Sequence, residues 1–214
     1  MCVIAISQKG IRQPSETELK QMWEHNPHGG GYMFNRNGYV EIHKGFMVWD
    51  DFIRAVKSEH FGKADSVVYH FRISTQGGIN AEMTHPFPFS EKLSDMKALD
   101  VLCGLGIAHN GIIPMTTDRT QTEYSDTALF IVKYLTQIIN YEEDIFREEK
   151  QTIIEQLIQS KMAIMDSNGN VVTIGKFFDR DGILLSNEYH IPIQKTDYKF
   201  NYVWKGDTKG CIAY

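Results

Sequence analysis

Apolar and polar positions along the chain follow two periods, and each period predicts one kind of element. Apolar runs of strand length occur first at 3–6, 32–34, 39–42 and 66–72. The dipeptide Asn37-Gly38 separates two of these runs, which predicts a β-hairpin. Apolar residues at helical spacing follow Ser15 and Glu18, which form a capping-box pair, and the same spacing recurs over 50–58. The first third of the chain is therefore predicted to contain strands and two short helices.

The rest of the chain continues in the same two periods. Strand-like runs lie at 102–108, 162–165, 171–174 and 181–187, and helical spacing lies at 129–139 and 153–158. This order of strands, helices and strands predicts an α+β fold of antiparallel sheets packed against helices, and not a doubly wound parallel sheet. No repeat or Pro/Ser-rich linker interrupts the pattern, so we expect a single domain over 1–214.

Composition and charge narrow the classes of function. With 42% hydrophobic and 23% charged residues, the chain has the make-up of a soluble globular protein. It has no apolar run of membrane-spanning length and no basic signal-peptide start, so a cytoplasmic protein without a membrane partner is predicted. The net charge of -5 and the pI of about 5.9 argue against nucleic acid as a partner. Cys2, Cys103 and Cys211 are far apart and lack CxxC spacing, so no disulfide framework, metal site or cofactor is predicted.

Four places along the sequence carry candidate chemistry. If the initiator methionine is removed, Cys2 combines a thiol nucleophile with a free α-amine that can serve as its base. Arg72 ends a strand-like run, Asn110-Gly111 ends another, and Asp126 stands at the start of the long helical pattern. Each also has an ordinary interpretation: a core thiol, a surface ion pair, a hairpin turn and a helix-start carboxylate. Their order and spacing, taken together, favour the functional interpretation.

Five segments together resemble the class II glutamine amidotransferases, which use an N-terminal nucleophile. The segments MC, HFRISTQG, THP, AHNGII and SDT occupy residues 1–2, 70–77, 84–86, 108–113 and 125–127. They occur in the family's order and at similar spacings, and the helix-then-strand remainder looks like the rest of the same domain. The resemblance implies an αββα Ntn-hydrolase sandwich, with two antiparallel β-sheets between helical layers.

The resemblance also implies a reaction, and the residue types suit it. Because an amide is a poor electrophile, its hydrolysis requires an activated nucleophile, a proton donor for the leaving nitrogen and donors to the developing oxyanion. Cys2 supplies the nucleophile, and its α-amine, with an ordinary pKa of roughly 7.7 to 8.0, can take the thiol proton. In the family, an Asn side-chain amide and the next Gly N–H form the oxyanion hole, which places these roles on Asn110 and Gly111.

Substrate recognition follows from the same resemblance. Arg72 is expected to bind the α-carboxylate of glutamine, and Asp126 its α-ammonium group. Thr75 and Gly77 are expected to line the glutamine loop. His85 matches a family position near the site, and we expect it to be structural or to position substrate rather than to act as a general base.

Two departures from the family pattern concern the lid over the site. The best-known members have Trp where this chain has Ile73, and His where it has Gln76. The usual Arg-Tyr-Asp-Ser-Ala-Gly segment is replaced at 26–32 by NPHGGGY, which we interpret as the same glycine-dependent turn. A smaller lid residue changes how the loop closes and leaves room for a leaving group larger than ammonia.

Three functions remain open from the sequence. The first is a glutaminase or amidotransferase that releases ammonia from glutamine, through a thioester on Cys2, for an acceptor on a separate synthase subunit. The second keeps the mechanism but hydrolyses another γ-glutamyl amide. The third is a catalytically idle domain that binds a ligand or partner and keeps Met1, because an acylated Cys2 nitrogen cannot act as a base.

Overall fold

The part of the chain that the structure describes folds into two antiparallel sheets with helices packed against them. A computed structural model describes residues 2–74, 78–116 and 123–191 of the 214. Its strands are β1 Val3–Ser7, β2 Gly30–Arg36, β3 Tyr39–Phe46, β4 Val67–Phe71, β5 Phe87–Pro88, β6 Asp100–Cys103, β7 Leu105–Asn110, β8 Lys161–Asp166, β9 Val171–Ile174, β10 Phe178–Arg180 and β11 Ile183–Leu185. Its helices are α1 Glu16–His25, α2 Trp49–Ser58, α3 Asp126–Phe130, α4 Thr136–Ile138 and α5 Glu148–Ile158.

The order of the strands places the start of the chain near the middle of the larger sheet. That sheet has the order β10-β11-β1-β4-β2-β3-β6, and the smaller sheet has the order β5-β7-β8-β9. Strand β1 therefore lies between β11, from the last part of the described chain, and β4. Every pairing is antiparallel, which confirms the predicted α+β class with antiparallel sheets.

The first helices and the first hairpin form where the sequence predicts them. Helix α1 has Ser15 as its N-cap, and the capping box with Glu18 is complete. Strands β2 and β3 meet at Asn37 and Gly38, whose φ angles of 51° and 79° fit the left-handed positions of a type I′ turn. Helix α2 buries Phe52 on the same apolar face as its neighbours at 53 and 56. These predictions are confirmed because each depends on contacts within a few residues.

Three apolar clusters hold the layers together. In the first, α1 and α2 pack on one face of the larger sheet, where the Trp23 ring lies 5.7 Å from the Phe52 ring and 6.0 Å from the Phe71 ring, centroid to centroid. A second cluster joins the two sheets, with Ile4 on one side and Ala108 on the other. The third packs the later helices against the smaller sheet. The order of packing is therefore helices, sheet, sheet and helices.

The apolar run at 102–108 divides between two strands of different sheets, although it reads as one run in the sequence. Strand β6 pairs with β3 at the edge of the larger sheet, whereas β7 pairs with β5 and β8 in the smaller one. Gly104 joins the two strands, and a side chain there would overlap the Glu142 carboxylate. Leu102 is largely exposed on the edge strand, so its apolar character does not mark the core.

The long helical pattern is also interrupted. Helix α3 continues into a π-helical turn at Ile131–Leu135 and then into α4, while Ile131 and Leu135 stay buried in the same cluster. The apolar spacing at 129–139 predicts the direction of the buried face correctly but contains no signal for the wider turn. Helix α5 then returns the chain to β8, which starts at Lys161.

The Glu18 carboxylate ties α1 to the segment before it, and we expect this contact to make stability depend on pH. Arg12 Nη1 and Nη2 donate to the two Glu18 oxygens at 2.8 and 2.7 Å. Hydrogen bonding to Arg12 lowers the pKa of Glu18 to about 2, below its value in an unfolded chain. The contribution is therefore present above pH 4.5 and is lost as the pH falls towards 2.

Because both side chains are more than a third exposed, Glu18→Gln is expected to reduce the free energy of unfolding by only about 0.5 to 1 kcal/mol at pH 7. Urea unfolding of wild type and variant at pH 7 and pH 3 measures the difference, which should shrink at pH 3. Glu24→Gln is the control, because Glu24 is exposed on the same helix and makes no ion pair within the described ranges. A difference that stays constant with pH would contradict the assignment.

Candidate functional site

Cys2 stands directly before β1, and the backbone around it is held from two sides. Its Sγ accepts a hydrogen bond from Ile73 N at 3.3 Å and donates to Ile73 O at 3.4 Å. Its carbonyl oxygen accepts a hydrogen bond from Asn187 Nδ2. Two residues after Cys2, Ile4 O accepts a hydrogen bond from Ser186 N at 2.9 Å. The thiol is therefore fixed between the end of β4 and the residues that follow β11.

The thiol is protonated at neutral pH. Burial raises the pKa of Cys2, and this effect outweighs the hydrogen bond from Ile73 and the positive charge of Arg72, both of which lower that pKa. The charge of Asp126 raises the pKa further. A protonated thiol is a weak nucleophile, so any reaction at Cys2 requires a base that removes its proton.

A cavity of about 410 Å³ opens beside Cys2. Its described lining combines polar, apolar and charged residues: Cys2, Ile73, Asn110, Gly111, Ile112, Gln159, Ser160 and Lys161. Three of the predicted site residues, Cys2, Asn110 and Gly111, are thus brought together on one cavity. Lys161 is the charged residue among those lining residues.

Asn110 and Gly111 do not form the hairpin turn that this dipeptide usually makes. Asn110 is the last residue of β7 and is paired with Lys161 of β8. Its Nδ2 lies 2.8 Å from Ser186 Oγ, and its buried Oδ1 has no hydrogen-bond partner in the described part of the chain. Gly111 has a φ of 151°, and a Cβ there would overlap Ser160 Cβ. Only glycine therefore allows the chain to leave β7 in this direction.

Arg72 follows β4 and is only 2% exposed. Its Nη1 donates to Gly78 O at 2.7 Å, and its backbone N–H donates to Gly29 O at 2.8 Å. Burial lowers the pKa of Arg72, while the neighbouring Cys2 and Asp126 raise it. The guanidinium is thus close enough to Cys2 for each to affect the other, although Arg72 is not among the described residues that line the cavity.

Asp126 begins α3 and is 5% exposed. Its Oδ2 accepts from Ile113 N at 2.8 Å, and its Oδ1 accepts from Thr127 N at 2.8 Å. Both carboxylate oxygens therefore bind backbone N–H groups, which joins the start of α3 to the segment after Gly111. In this arrangement Asp126 supports the wall that carries Asn110 and Gly111, and its charge acts on Cys2 and Arg72.

His85 lies inside the molecule and does not line the cavity. Its ring stacks on that of His70, with centroids 4.3 Å apart, and meets the edge of Phe87 at 4.7 Å. Burial lowers the pKa of His85 well below its ordinary value and lowers that of His70 to about 3. Burial also lowers the pKa of His109 to about 4. These three histidines are neutral at pH 7 and are poor acceptors of the Cys2 proton.

Thr75 and Gly77 lie outside the described residues. The residues on either side of this segment, Ser74 and Gly78, both make hydrogen bonds. Ser74 N donates to His28 Nδ1 at 3.0 Å, and Ser74 Oγ donates to Gly78 O at 2.6 Å. The turn before β2 contributes to the same corner, because Gly29 has a φ of 106° and its carbonyl binds Arg72 N. The glycine-dependent turn predicted for 26–32 therefore contacts Arg72.

Residues from the second half of the chain complete the site, and they are not among those predicted from the sequence. Ser186 and Asn187 contact Asn110 and Cys2, and Gln159, Ser160 and Lys161 line the cavity. For the first pair a signal exists, because polar residues directly follow an apolar strand, as they do at 72 and 110. The second group lies between α5 and β8, where nothing in the sequence pattern distinguishes it from an ordinary loop.

Comparisons with models of known protein families and with curated proteins found no match to this chain. Within residues 2–74, 78–116 and 123–191, no helix has both the length and the apolar character needed to cross a bilayer. In the same ranges no three His, Cys, Asp or Glu side chains come close enough together to hold a metal ion. A functional assignment therefore depends on the sequence motifs and on the geometry around Cys2.

Proposed function

We propose that this chain is an N-terminal-cysteine amidohydrolase that acts on glutamine, with the αββα sandwich of the Ntn hydrolases. One observation carries the proposal: Cys2, Asn110 and Gly111 line the same cavity. A nucleophile and two neighbouring N–H donors are the minimum set for attack on an amide carbonyl. Two antiparallel sheets packed between helices agree with the proposed fold.

In the proposed mechanism the α-amine of Cys2, freed by removal of Met1, accepts the thiol proton. Sγ then bonds to the amide carbon while the carbonyl π pair moves onto oxygen, where Asn110 and Gly111 donate hydrogen bonds. When this intermediate collapses, the C–N bond breaks, and the leaving nitrogen takes the proton and departs as ammonia. Water next adds to the thioester carbon, the C–S bond breaks, and glutamate is released with the thiol regenerated. The low pKa values of the buried histidines favour the amine as base.

Arg72 and Asp126 are proposed to bind the amino-acid end of the substrate. A guanidinium presents its N–H donors in a fixed fork that matches the geometry of a carboxylate, and Arg72 already uses Nη1 to bind Gly78 O at the edge of this region. Asp126 has accepted two backbone N–H groups but keeps lone pairs for an ammonium group. We propose that Thr75 and Gly77 line this end, and that His85, buried against His70, has a structural or positioning role behind it. Ammonia would be used by an acceptor on a separate protein or released.

A second candidate function is hydrolysis of a γ-glutamyl amide with a larger leaving group. The cavity favours it, because about 410 Å³ beside Cys2 exceeds the space that ammonia needs. Ile73 and Ile112 give the cavity apolar walls, and Lys161 adds a positive charge that suits an anionic group on the leaving amine. Both functions use the same nucleophile and the same γ-glutamyl end.

The experiment that tests both functions is a comparison of substrates on the purified native protein. Intact mass is measured first, and we expect a mass without Met1. Ammonia release from glutamine is then compared with amine release from a neutral γ-glutamyl alkylamide and from a γ-glutamyl amino acid. Turnover of glutamine with the highest kcat/KM supports the first function. A preference for either larger amide supports the second.

Two outcomes would contradict the proposal as a whole. The first is a native protein that keeps Met1, because the Cys2 nitrogen would then be acylated and unable to take a proton. The second is a protein that lacks Met1 but hydrolyses none of the three substrates. Either result would favour a domain that binds a ligand or partner without catalysis.

A further inference from the structure

Ser186 is buried at the point where the N-terminal strand meets the wall that carries Asn110. It is fully inaccessible to solvent and directly follows β11. Its backbone N–H donates to Ile4 O at 2.9 Å, and its Oγ accepts from Ile4 N at 2.8 Å. Ser186 therefore fixes β1 two residues after the nucleophile, and the same Oγ lies 2.8 Å from the side-chain amide of Asn110.

The hydrogen bonds available around Ser186 Oγ indicate which way the side-chain amide of Asn110 faces. With Nδ2 towards Ser186, the hydroxyl oxygen receives protons from both Ile4 and Asn110, and its own proton has no acceptor within the described residues. Asn110 Oδ1 is then buried without a donor in the same ranges. If the amide is turned by 180°, Ser186 donates its proton to Oδ1, and Ile4 N–H still binds Ser186. The two orientations have nearly the same shape, so this hydrogen-bond count is the criterion that separates them.

The turned orientation leaves one kind of group without a partner, the N–H donors of Asn110 Nδ2. A buried amide donor without an acceptor costs free energy in the resting protein, and such groups in native structures commonly have a functional reason. Here the donor belongs to a residue that lines the same cavity as the Cys2 thiol. An oxyanion formed on attack by Cys2 would supply the missing acceptor, and a donor already in place needs no reorganisation during the reaction.

We propose that Ser186 is the positioning residue that turns the Asn110 amide, so that its Nδ2 and not its Oδ1 meets the oxyanion. This inference rests on the proposed function for its catalytic consequence, whereas the amide orientation itself does not. With Oδ1 in that place, a partial negative charge would face the developing oxyanion. The hydroxyl of Ser186 therefore determines whether the reacting oxygen meets the partially positive N–H group or the partially negative Oδ1 of Asn110.

The test compares Ser186→Ala with wild type in the hydrolysis of the preferred substrate. We expect kcat to fall roughly 10- to 100-fold, because the donor is still present but is no longer held in orientation. A γ-glutamyl aldehyde, to which the Cys2 thiolate adds to form a tetrahedral oxyanion, should lose affinity by the same factor. The affinity for glutamate, which has no oxyanion of this kind, should stay within about twofold of wild type.

The control is Ser7→Ala, at the end of β1, the strand that Ser186 contacts, and Ser7 is as buried as Ser186. Ser7 Oγ donates to Arg12 O at 2.6 Å, so its removal also costs a buried hydrogen bond but leaves Asn110 unchanged. In a double-mutant cycle, Ser186→Ala should add nothing to the loss caused by Asn110→Ala, because the hydroxyl acts through that amide. An equal loss of kcat in Ser7→Ala, an unchanged kcat in Ser186→Ala, or losses that multiply in the double variant would each overturn the proposal.

One further measurement keeps the inference testable if Ser186→Ala does not fold or if wild type hydrolyses none of the substrates. Neutron diffraction from the perdeuterated wild-type protein locates the deuterons on the Asn110 amide. Deuterons on the amide atom that faces away from Ser186 support the inference, even if the proposed hydrolysis is not observed. Deuterons on the atom that faces Ser186 overturn it, even if the enzyme is active.

Discussion

Replacing Cys2 by alanine is expected to reduce hydrolysis of the preferred substrate by more than about 10³-fold, with the fold retained. In the proposed mechanism the Cys2 sulfur forms the thioester, and no other described side chain on the cavity is a comparable nucleophile. The side chain of Cys2 is only half-buried and makes its hydrogen bonds to the backbone of Ile73, so its loss removes little packing. Product release and thermal unfolding of the purified variant measure the two effects separately.

Cys103→Ala is the matched control for this prediction. Cys103 is also half-buried, its Sγ donates to Val40 O at 3.7 Å, and burial raises its pKa to about 12. Its removal should leave turnover within about twofold, since surface-strand substitutions without a named defect rarely have larger effects. A chloroketone analogue of glutamine should modify Cys2 alone. Modification at Cys103, or activity that survives Cys2→Ala, would show that the nucleophile lies elsewhere.

Replacing Asn110 by alanine is expected to lower kcat by roughly 10²- to 10³-fold, the usual cost of one oxyanion-hole donor. The reason is specific to the transition state, because the donor binds an oxygen that becomes negative only when Sγ attacks. Asn110→Asp should be worse than Asn110→Ala, since a carboxylate would repel the oxyanion. Steady-state kinetics give kcat for both variants.

The prediction for Asn110 also specifies what should not change. The affinity for glutamate should remain near that of wild type, because the product has no tetrahedral oxygen to stabilise. A loss of glutamate affinity as large as the loss of kcat would instead indicate that Asn110 supports the shape of the cavity. An aspartate variant as active as the alanine variant would argue against an oxyanion at this position.

The sequence predicts the elements whose geometry is decided by near neighbours. Ser15 and Glu18 determine where α1 begins, and Asn37-Gly38 adopts the left-handed angles that a two-residue hairpin requires. The segregated order of strands, helices and strands along the chain is enough to predict antiparallel sheets. The sequence does not predict to which sheet a strand belongs, because the single apolar run at 102–108 divides at Gly104 between two sheets. The spacing of apolar residues indicates which side chains are buried, and both β6 and β7 contain apolar residues. Only the long-range pairing of these strands assigns them to different sheets.

The candidate site shows the same limit. Cys2, Asn110 and Gly111 could be selected from the sequence because a resemblance to known motifs connects them, and the structure brings them to one cavity. Ser186 and Asn187 have only the weak signal of polar residues after an apolar strand, and their contacts with Asn110 and Cys2 span 76 and 185 residues. A serine after an apolar strand has too many ordinary explanations for the sequence alone to connect it with a nucleophile at the other end of the chain.

The position of β1 in the larger sheet has a consequence for the order of events during synthesis. Residues 3–7 can pair with β4 once residue 71 has left the ribosome, but their other edge waits for β11 at 183–185. The Asn187 contact that holds the Cys2 carbonyl is made later still. Residues 3–7 are therefore paired on both edges only after the chain has been synthesised through β11. Under the proposed function, the surroundings of Cys2 are thus completed only after Asn110 and Gly111 have been synthesised.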